Sequence, residues 1–315
     1  MLFGQVSVNT PMVDWRGTCG NLTTAVGPFA IDQGLVAAVE PITEVMIFNI
    51  NTRKRVIARV PVCNGRALSE GNYSIPGIRG TGARIDLEFI EPGGTLNGCL
   101  LPTGKRCEQI ELEDGRSFTV SIVDAGNVVV FCHAPELGLC GTELPSEMET
   151  RRDVMATMEA IRSVAAERLG IVKSRHEATR KSPGAPKIGF VSGPVPYDTI
   201  AGARIKGEEI DIVGRLLSMQ TPHRAYMGAG AICTGAAAAT KGTIVNELCG
   251  SGGRNGHALR IGHPQGVMDV AVKVVDVNGE TRIQSATIAR TARRIMDGYA
   301  HVPESIFSPR GNGSR

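Results

Sequence analysis

Two segments rich in glycine and alanine constrain the fold of this chain most, because helices of such small side chains are typical of tightly packed interiors. The first runs from Gly20 to Gly34, and the second runs from about Gly228 to Lys241 and contains four consecutive alanines. Each segment follows a turn at the end of an extended stretch. The sequence therefore predicts two halves, each of which leads through a turn into a buried helix.

Short β-rich runs separated by glycine, proline and asparagine turns occupy residues 37–131, a pattern typical of an antiparallel sheet or barrel. From Glu147 to Leu169 the apolar residues recur at helical spacing, and Gly170 ends the pattern. A strand-like run then opens the second half. The remaining predicted elements are strands at 188–191, 267–277 and 287–288 and a last helix at 289–298.

Cys19 stands where an extended segment gives way to the first small-residue helix. Unpaired N–H groups and the helix dipole favour anions at such a position, so it suits both a thiolate and a substrate carboxylate. The neighbouring Gly20 and Asn21 favour a functional thiol. The alternative is a cysteine buried as a small hydrophobic side chain, which is the commoner environment of cysteine.

Composition excludes several classes of partner. A hydrophobic content of 42% and a charged content of 21% are ordinary for a globular protein. A net charge of +3 is too small to indicate nucleic acid, and 4% aromatic residues argue against a base-stacking surface. No apolar run is long enough to span a membrane, so we expect neither a nucleic-acid nor a membrane partner. The eight cysteines are scattered and no secretory signal opens the chain, which predicts a cytoplasmic protein; homo-oligomer formation is left open.

Two motifs that could indicate cofactors are incomplete. Cys132-His133 with Cys140 lacks the second ligand pair of a zinc site. Gly228-x-Gly230 lacks the preceding strand of a dinucleotide-binding unit. We therefore expect no metal and no cofactor.

The region around Cys19 closely resembles the PrpF family of isomerases, which share their fold with diaminopimelate epimerase. The resemblance rests on Asp-Trp-Arg-Gly-Thr-Cys-Gly-Asn-Leu followed by Ala-Val-Gly-Pro-Phe-Ala-Ile, with Thr18 where the family more often has asparagine. It covers nearly the whole chain, to about Ser305. The matching segments are residues 14–31, 76–83, 100–105, 124–127, 222–225, 262–266 and 290–298.

The resemblance implies an α+β fold of two diaminopimelate-epimerase-like domains, each a barrel-like sheet wrapped on a central helix, with the site between them. The N-terminal domain is placed at 1–145 and the C-terminal domain at 146–305, and 306–315 are predicted to form a disordered tail.

Family members carry several dozen residues before this region, including a Thr-Ser-Lys segment whose lysine works opposite the cysteine. This sequence begins at Met1-Leu2-Phe3 and contains no Thr-Ser-Lys. We therefore expect the start of the first domain to be missing from it, and the chain as given to be inactive without that lysine.

The predicted site contains Cys19 as the catalytic acid–base group. Arg224 can bind a carboxylate through two hydrogen bonds, and His223 can donate or relay a proton. Asn127 follows Asp124-Ala125-Gly126 and resembles a carboxylate-binding turn of the epimerases, although Val128 replaces the usual proline. The predicted substrate-binding residues are Gly20, Asn21, Asn127, His223, Arg224, Gly228 and His263.

The resemblance implies a cofactor-independent isomerase that moves a double bond in an aconitate-like di- or tricarboxylic acid, with 2-methylaconitate or aconitate as first candidates. One alternative is an amino-acid racemase or epimerase in which Cys19 and Cys233 face each other, although core packing is favoured for Cys233. The other alternative is an inactive fragment that binds polycarboxylates. No motif distinguishes the acids from one another.

Overall fold

The computed structural model describes residues 1–6, 11–249, 258–277 and 280–306. Its N-terminal half contains the helix α1 (Gly20–Asp32), which packs against four strands: β3 (Ile42–Asn49), β4 (Lys54–Cys63), β5 (Arg66–Ala67) and β6 (Ile85–Ile90). Side chains of β3 alternate strictly between exposed and buried, so one face of this antiparallel sheet covers α1. Gly27 allows the contact, because a Cβ atom there would lie 2.7 Å from Val60 Cγ2 on β4.

The C-terminal half surrounds the helix α5 (Gly228–Ala239), in which the side chains of residues 228–238 are all buried. The helix packs against strands on several sides, and its small residues are a steric requirement. A Cβ atom on Gly230 would lie 2.4 Å from Leu216 Cδ1, and one on Gly235 would lie 2.8 Å from Val272 Cγ2. The strands around α5 are β8 (Ser117–Ala125), β9 (Asn127–His133), β15 (Leu259–His263), β16 (Gly266–Val277) and β17 (Glu280–Arg290).

Within the described residues, one sheet of thirteen strands passes through both halves. β17 pairs antiparallel with β6 on one side and with β16 on the other, so the last long strand joins the two halves. β9 runs parallel to β10 (Lys187–Ser192). Three further strands belong to this sheet: β7 (Glu108–Glu111), β13 (Ile212–Ser218) and β14 (Thr221–Pro222). The order along the sheet is β3-β4-β6-β17-β16-β15-β13-β10-β9-β8-β7. Outside this order, β5 pairs with β4 and β14 pairs with β13.

The remaining elements lie at the periphery. α2 (Pro145–Thr150) and α3 (Arg152–Arg168) replace the single helix predicted over 147–169, because Arg151 leaves helical geometry with ψ of 66°. α3 covers a second core cluster formed with β7–β10. The other short elements are β1 (Gln5–Val6), β2 (Val13–Asp14), α4 (Ala178–Lys181), β11 (Tyr197–Asp198), β12 (Arg204–Ile205) and α6 (Ile244–Leu248).

The predicted α+β fold, with a central helix wrapped by strands in each half, is confirmed. The helix predicted over 289–298 is wrong: β17 extends to Arg290 because it is hydrogen-bonded along β6, and no helix follows over residues 291–300. Of the predicted tail, Ile306 belongs to a short 3-10 turn and 307–315 lie outside the described residues. In the described part of the chain, no helix is both long and apolar enough to cross a bilayer.

Candidate active site

The N-termini of α1 and α5 meet at two glycines. A Cβ atom on Gly20 would lie 3.2 Å from Gly228 Cα and 3.4 Å from the backbone nitrogen of Ala229. The first N–H groups that donate a hydrogen bond within α1 and α5 are those of Thr23 and Ala231. The three N–H groups before each of them therefore have no acceptor within their own helix. Two helix dipoles therefore present their positive ends to the same small region.

Cys19 is the N-cap residue of α1 and has an extended backbone. Its carbonyl oxygen accepts hydrogen bonds from both the backbone N–H and the hydroxyl of Thr23, at 2.9 and 2.8 Å. The thiol caps no N–H group of the helix, and the residue is partly exposed. Cys19 is thus held through its backbone while the residue stays partly exposed.

A hydrogen-bonded cluster fixes the residue before the cysteine. The buried Thr18 receives a bond from Asn49 Nδ2 to its hydroxyl at 2.7 Å. The Asn127 side-chain amide accepts from the Thr18 N–H at 3.2 Å and donates to the Thr18 carbonyl at 3.4 Å. Asn127, predicted to contact substrate, therefore lies at the site with its amide engaged by the backbone beside Cys19.

Arg290, at the end of β17, brings a buried positive charge to the meeting helices. Its Nε donates to Asn21 Oδ1 at 3.1 Å, and its Nη2 lies 3.5 Å from where a Cβ atom of Gly228 would be. Burial lowers the pKa of Arg290, partly offset by the nearby Tyr73 and Cys19. The helix that the sequence predicts over 289–298 gives no sign of this position, because the strand β17 is what sets Arg290 beside Asn21.

Two histidines lie close to this charge. His223 Nδ1 accepts from the Ala225 N–H at 3.1 Å, and His263 Nδ1 accepts from the Gln265 N–H at 3.2 Å. Each neutral ring therefore carries its proton on Nε2. His263 is almost completely buried, and its Nε2 has no partner among the described residues. Burial, with the charges of Arg215, Arg290 and His223, lowers the pKa of His263 to about 3, so it is a fixed neutral donor.

His263 gives a pH-dependence prediction. The unfolded chain takes up a proton at this residue near pH 6.5 and the folded protein only near pH 3, so its contribution to stability is lost as the pH falls between these values. We expect lowering the pH from 7 to 4.5 to destabilise wild type by about 2 kcal/mol more than His263→Gln. Denaturant unfolding of both proteins at the two pH values measures this. Equal pH dependence would contradict the neutral buried state.

Lys187, at the start of β10, adds an amine to the cluster. Its Nζ lies 3.4 Å from Ser218 Oγ, and burial lowers its pKa to about 8, although the negative forms of Asp14 and Cys19 oppose this. Asp14 Oδ2 is buried without a hydrogen-bond partner among the described residues. In the sequence Lys187 ends a basic stretch that contains two prolines, and only the folded structure shows that it lies near Cys19.

Two predicted residues lie elsewhere. Arg224 is exposed and forms a 3.4 Å ion pair with Glu149, so its role as a carboxylate ligand stays a prediction. Cys233 is completely buried and its thiol donates to the Val123 carbonyl at 3.3 Å. Burial raises its pKa strongly, which confirms the core interpretation and removes the second thiol of the racemase alternative.

The assembled site therefore combines the thiol of a partly exposed cysteine, two helix N-termini, a buried guanidinium, an amine and two imidazole N–H donors. Such a set binds small anions with several negative charges, and the thiol and amine can exchange protons with a bound molecule. In the described residues, no group of three histidine, cysteine, aspartate or glutamate side chains could hold a metal ion.

Comparisons of sequence and structure show which known proteins this chain is similar to. A sequence model described as PrpF protein matches residues 1–303. The chain is 40% identical over 304 residues to a 3-methylitaconate isomerase of Eubacterium barkeri, covering 96% of this chain and 78% of that protein. It is 37% identical over 310 residues to a 2-methyl-aconitate isomerase of Shewanella oneidensis, covering 96% and 77%. A crystal structure of methylitaconate-delta-isomerase superimposes with a TM-score of 0.82 and 38% identity, covering 99% of this chain and 80% of that one.

Proposed function

This chain belongs to the PrpF family of isomerases, and on that premise we propose that it moves a carbon–carbon double bond in an aconitate-like di- or tricarboxylic acid without a cofactor. The first candidate substrates are 2-methylaconitate and aconitate. The names of two similar proteins, a 2-methyl-aconitate isomerase and a 3-methylitaconate isomerase, support this class of acid. The observation that carries the proposal is the position of the partly exposed Cys19 where the N-termini of α1 and α5 meet.

The proposed reaction transfers one proton within the substrate skeleton. A base removes a proton from the carbon next to the double bond, and the electron pair of that C–H bond shifts into a dienolate conjugated with a carboxylate. Helix N–H groups stabilise the charge that develops on the carboxylate oxygens. An acid then adds a proton at the far carbon of the three-carbon unit, so the double bond has migrated and nothing is oxidised.

Cys19 serves as one of the two acid–base groups. By resemblance, the other belongs to the lysine of a Thr-Ser-Lys segment, which this sequence does not contain. Lys187 is an amine that the described residues bring to the same cluster, and its pKa of about 8 allows it to take up and release protons near neutral pH.

Proton exchange in deuterated water tests the function. The protein is incubated with 2-methylaconitate, 3-methylitaconate, aconitate or 4-oxalomesaconate, and deuterium incorporation and double-bond position are followed by NMR. Because Lys187 supplies an amine near Cys19, we expect enzymatic incorporation at the allylic carbon of at least one acid, whereas the sequence alone predicts an inactive chain. If no acid exchanges, the isomerase proposal fails for this chain. Calorimetric binding of the same acids without exchange would instead support an inactive polycarboxylate-binding fragment.

A further inference from the structure

Among the described residues, the buried arginines are Arg162, Arg215 and Arg290. Every guanidinium nitrogen of the first two donates to a carboxylate or to a backbone carbonyl. Arg162 forms a two-pronged ion pair with Glu159, at 2.6 and 2.7 Å, and donates to two carbonyls. Arg215 donates to four backbone carbonyls: those of Glu143, Gly214, Gly262 and Thr142. Buried guanidinium groups normally need such partners, because an unpaired buried charge is costly.

Arg290 is the exception, with an exposed fraction of 6%. Its acceptors are the neutral amide oxygen of Asn21, its own strand carbonyl at Ala289, and the weakly accepting Met268 sulfur at 3.3 Å. Among the described residues no carboxylate forms an ion pair with it. Its fork of N–H groups is therefore only partly used, and the Nη2 end lies beside the start of α5 at Gly228.

His263 is a second buried group with an N–H that has no acceptor among the described residues. The charge of Arg290 contributes to the lowered pKa of this ring. Several hydrogen-bond donors therefore have room for a further acceptor oxygen: the first N–H groups of α1 and α5, the guanidinium of Arg290 and the N–H of His263. A carboxylate supplies two such oxygens and one negative charge.

We propose that Arg290 is a substrate-binding residue that holds one carboxylate of the acid at the junction of α1 and α5, beside Cys19. This inference rests on the proposed function and specifies the substrate class: an acid that carries a carboxylate next to the reacting carbons. The guanidinium would neutralise that carboxylate and so make the neighbouring C–H bond more acidic. Arg290 thereby contributes both affinity and activation.

Binding of propane-1,2,3-tricarboxylate, a saturated acid that cannot isomerise, tests this by isothermal titration calorimetry. We expect Arg290→Met to weaken binding at least about 30-fold, because the carboxylate loses a buried charged partner. Arg290→Lys should retain part of the affinity, since it keeps the charge but not the fork. The exposed Arg293→Met, three residues along, is the matched control and should bind as wild type. Binding of Arg290→Met within threefold of wild type would overturn the inference.

Asn21→Asp tests the same inference with Arg290 left in place, so the test does not require that the fold tolerate a substitution at Arg290. The new carboxylate would pair with Arg290 Nε in place of the amide oxygen and compete with the ligand. We expect it to raise the melting temperature and to weaken binding at least about tenfold, whereas Asn21→Ala should weaken binding much less. Unchanged binding by Asn21→Asp would contradict the proposal even if Arg290→Met fails to fold.

Mono-amides of the probe identify the contact. One of these amides lacks the carboxylate that Arg290 holds. Wild type should bind this amide more weakly than the parent acid, whereas Arg290→Met should bind the two ligands equally well. If every amide loses the same factor of affinity in wild type and in Arg290→Met, Arg290 holds no particular carboxylate. If binding depends on Arg290 but no proton exchange occurs, only the proposed isomerase activity is refuted. If Arg290→Met exchanges protons with the same KM as wild type, only this inference is refuted.

Discussion

Replacing Cys19 by alanine is expected to abolish proton exchange and double-bond migration, with a rate loss of at least about 10²–10⁴-fold. The sulfur is held at the start of α1 by backbone bonds to Thr23, and it caps no helical N–H group. Its removal should therefore leave the fold and the melting temperature almost unchanged. The measurement is deuterium incorporation by NMR beside thermal unfolding, with the exposed Cys99→Ala as the matched control.

Cys19→Ser adds a second readout. A hydroxyl keeps the shape but is a far weaker acid than a thiol, so this variant should bind the acid normally and exchange its protons at a rate close to that of Cys19→Ala. Activity of either variant within a few-fold of wild type would show that the thiol is not an acid–base group. Loss of activity together with loss of binding would instead assign Cys19 to substrate binding.

Gly20→Val is expected to be the second most damaging single change. A Cβ atom at Gly20 would lie 3.2 Å from Gly228 Cα and 3.4 Å from the Ala229 nitrogen, and valine adds two methyl groups beyond it. The neighbouring atoms belong to backbone, which cannot rotate away, so the two helix starts must separate. We expect kcat/KM to fall at least about 100-fold and the unfolding free energy to fall by about 1–3 kcal/mol, the usual cost of overpacking.

The comparison variant is Gly298→Val, because a side chain at Gly298 would meet open space. It should match wild type in activity and in denaturant midpoint. Gly20→Ala should lie between the two, since one methyl group fits after shifts of a few tenths of an ångström. Full activity of Gly20→Val would mean that the contact between α1 and α5 does not shape the binding site.

The sequence predicts the framework of the site well, because that framework depends on local chemistry. Gly20 and Gly228 reveal tightly packed helix starts through residue type alone, and Cys19 is placed by the change from extended to helical pattern. The direction of a side chain on a turn is different, because tertiary contacts decide it. Arg224 directly precedes α5 in sequence and yet faces Glu149 at the surface.

The surroundings of three further residues also depend on tertiary contacts. Residues 289–298 have the composition of a helix, but hydrogen bonds to β6 hold Ala289 and Arg290 in a strand, and only this sets Arg290 beside Asn21. Asn127 matches an anion-binding turn in sequence. In the structure its side-chain amide is hydrogen-bonded to both the N–H and the carbonyl of Thr18. Lys187 is unremarkable in a basic stretch until the sheet brings it to Cys19.

The pairing of β6 with β17 has a consequence for biosynthesis. Ile90 at the end of β6 pairs with Ser285 of β17, so the 194 residues between them must be translated before the ladder can begin to close. At common synthesis rates this takes roughly 10–40 s, during which one edge of β6 is open. An unpaired strand edge invites association with other nascent chains. Trigger-factor-like chaperones that shield extended apolar segments on the ribosome should therefore improve the yield of this protein more than chaperones that act after release.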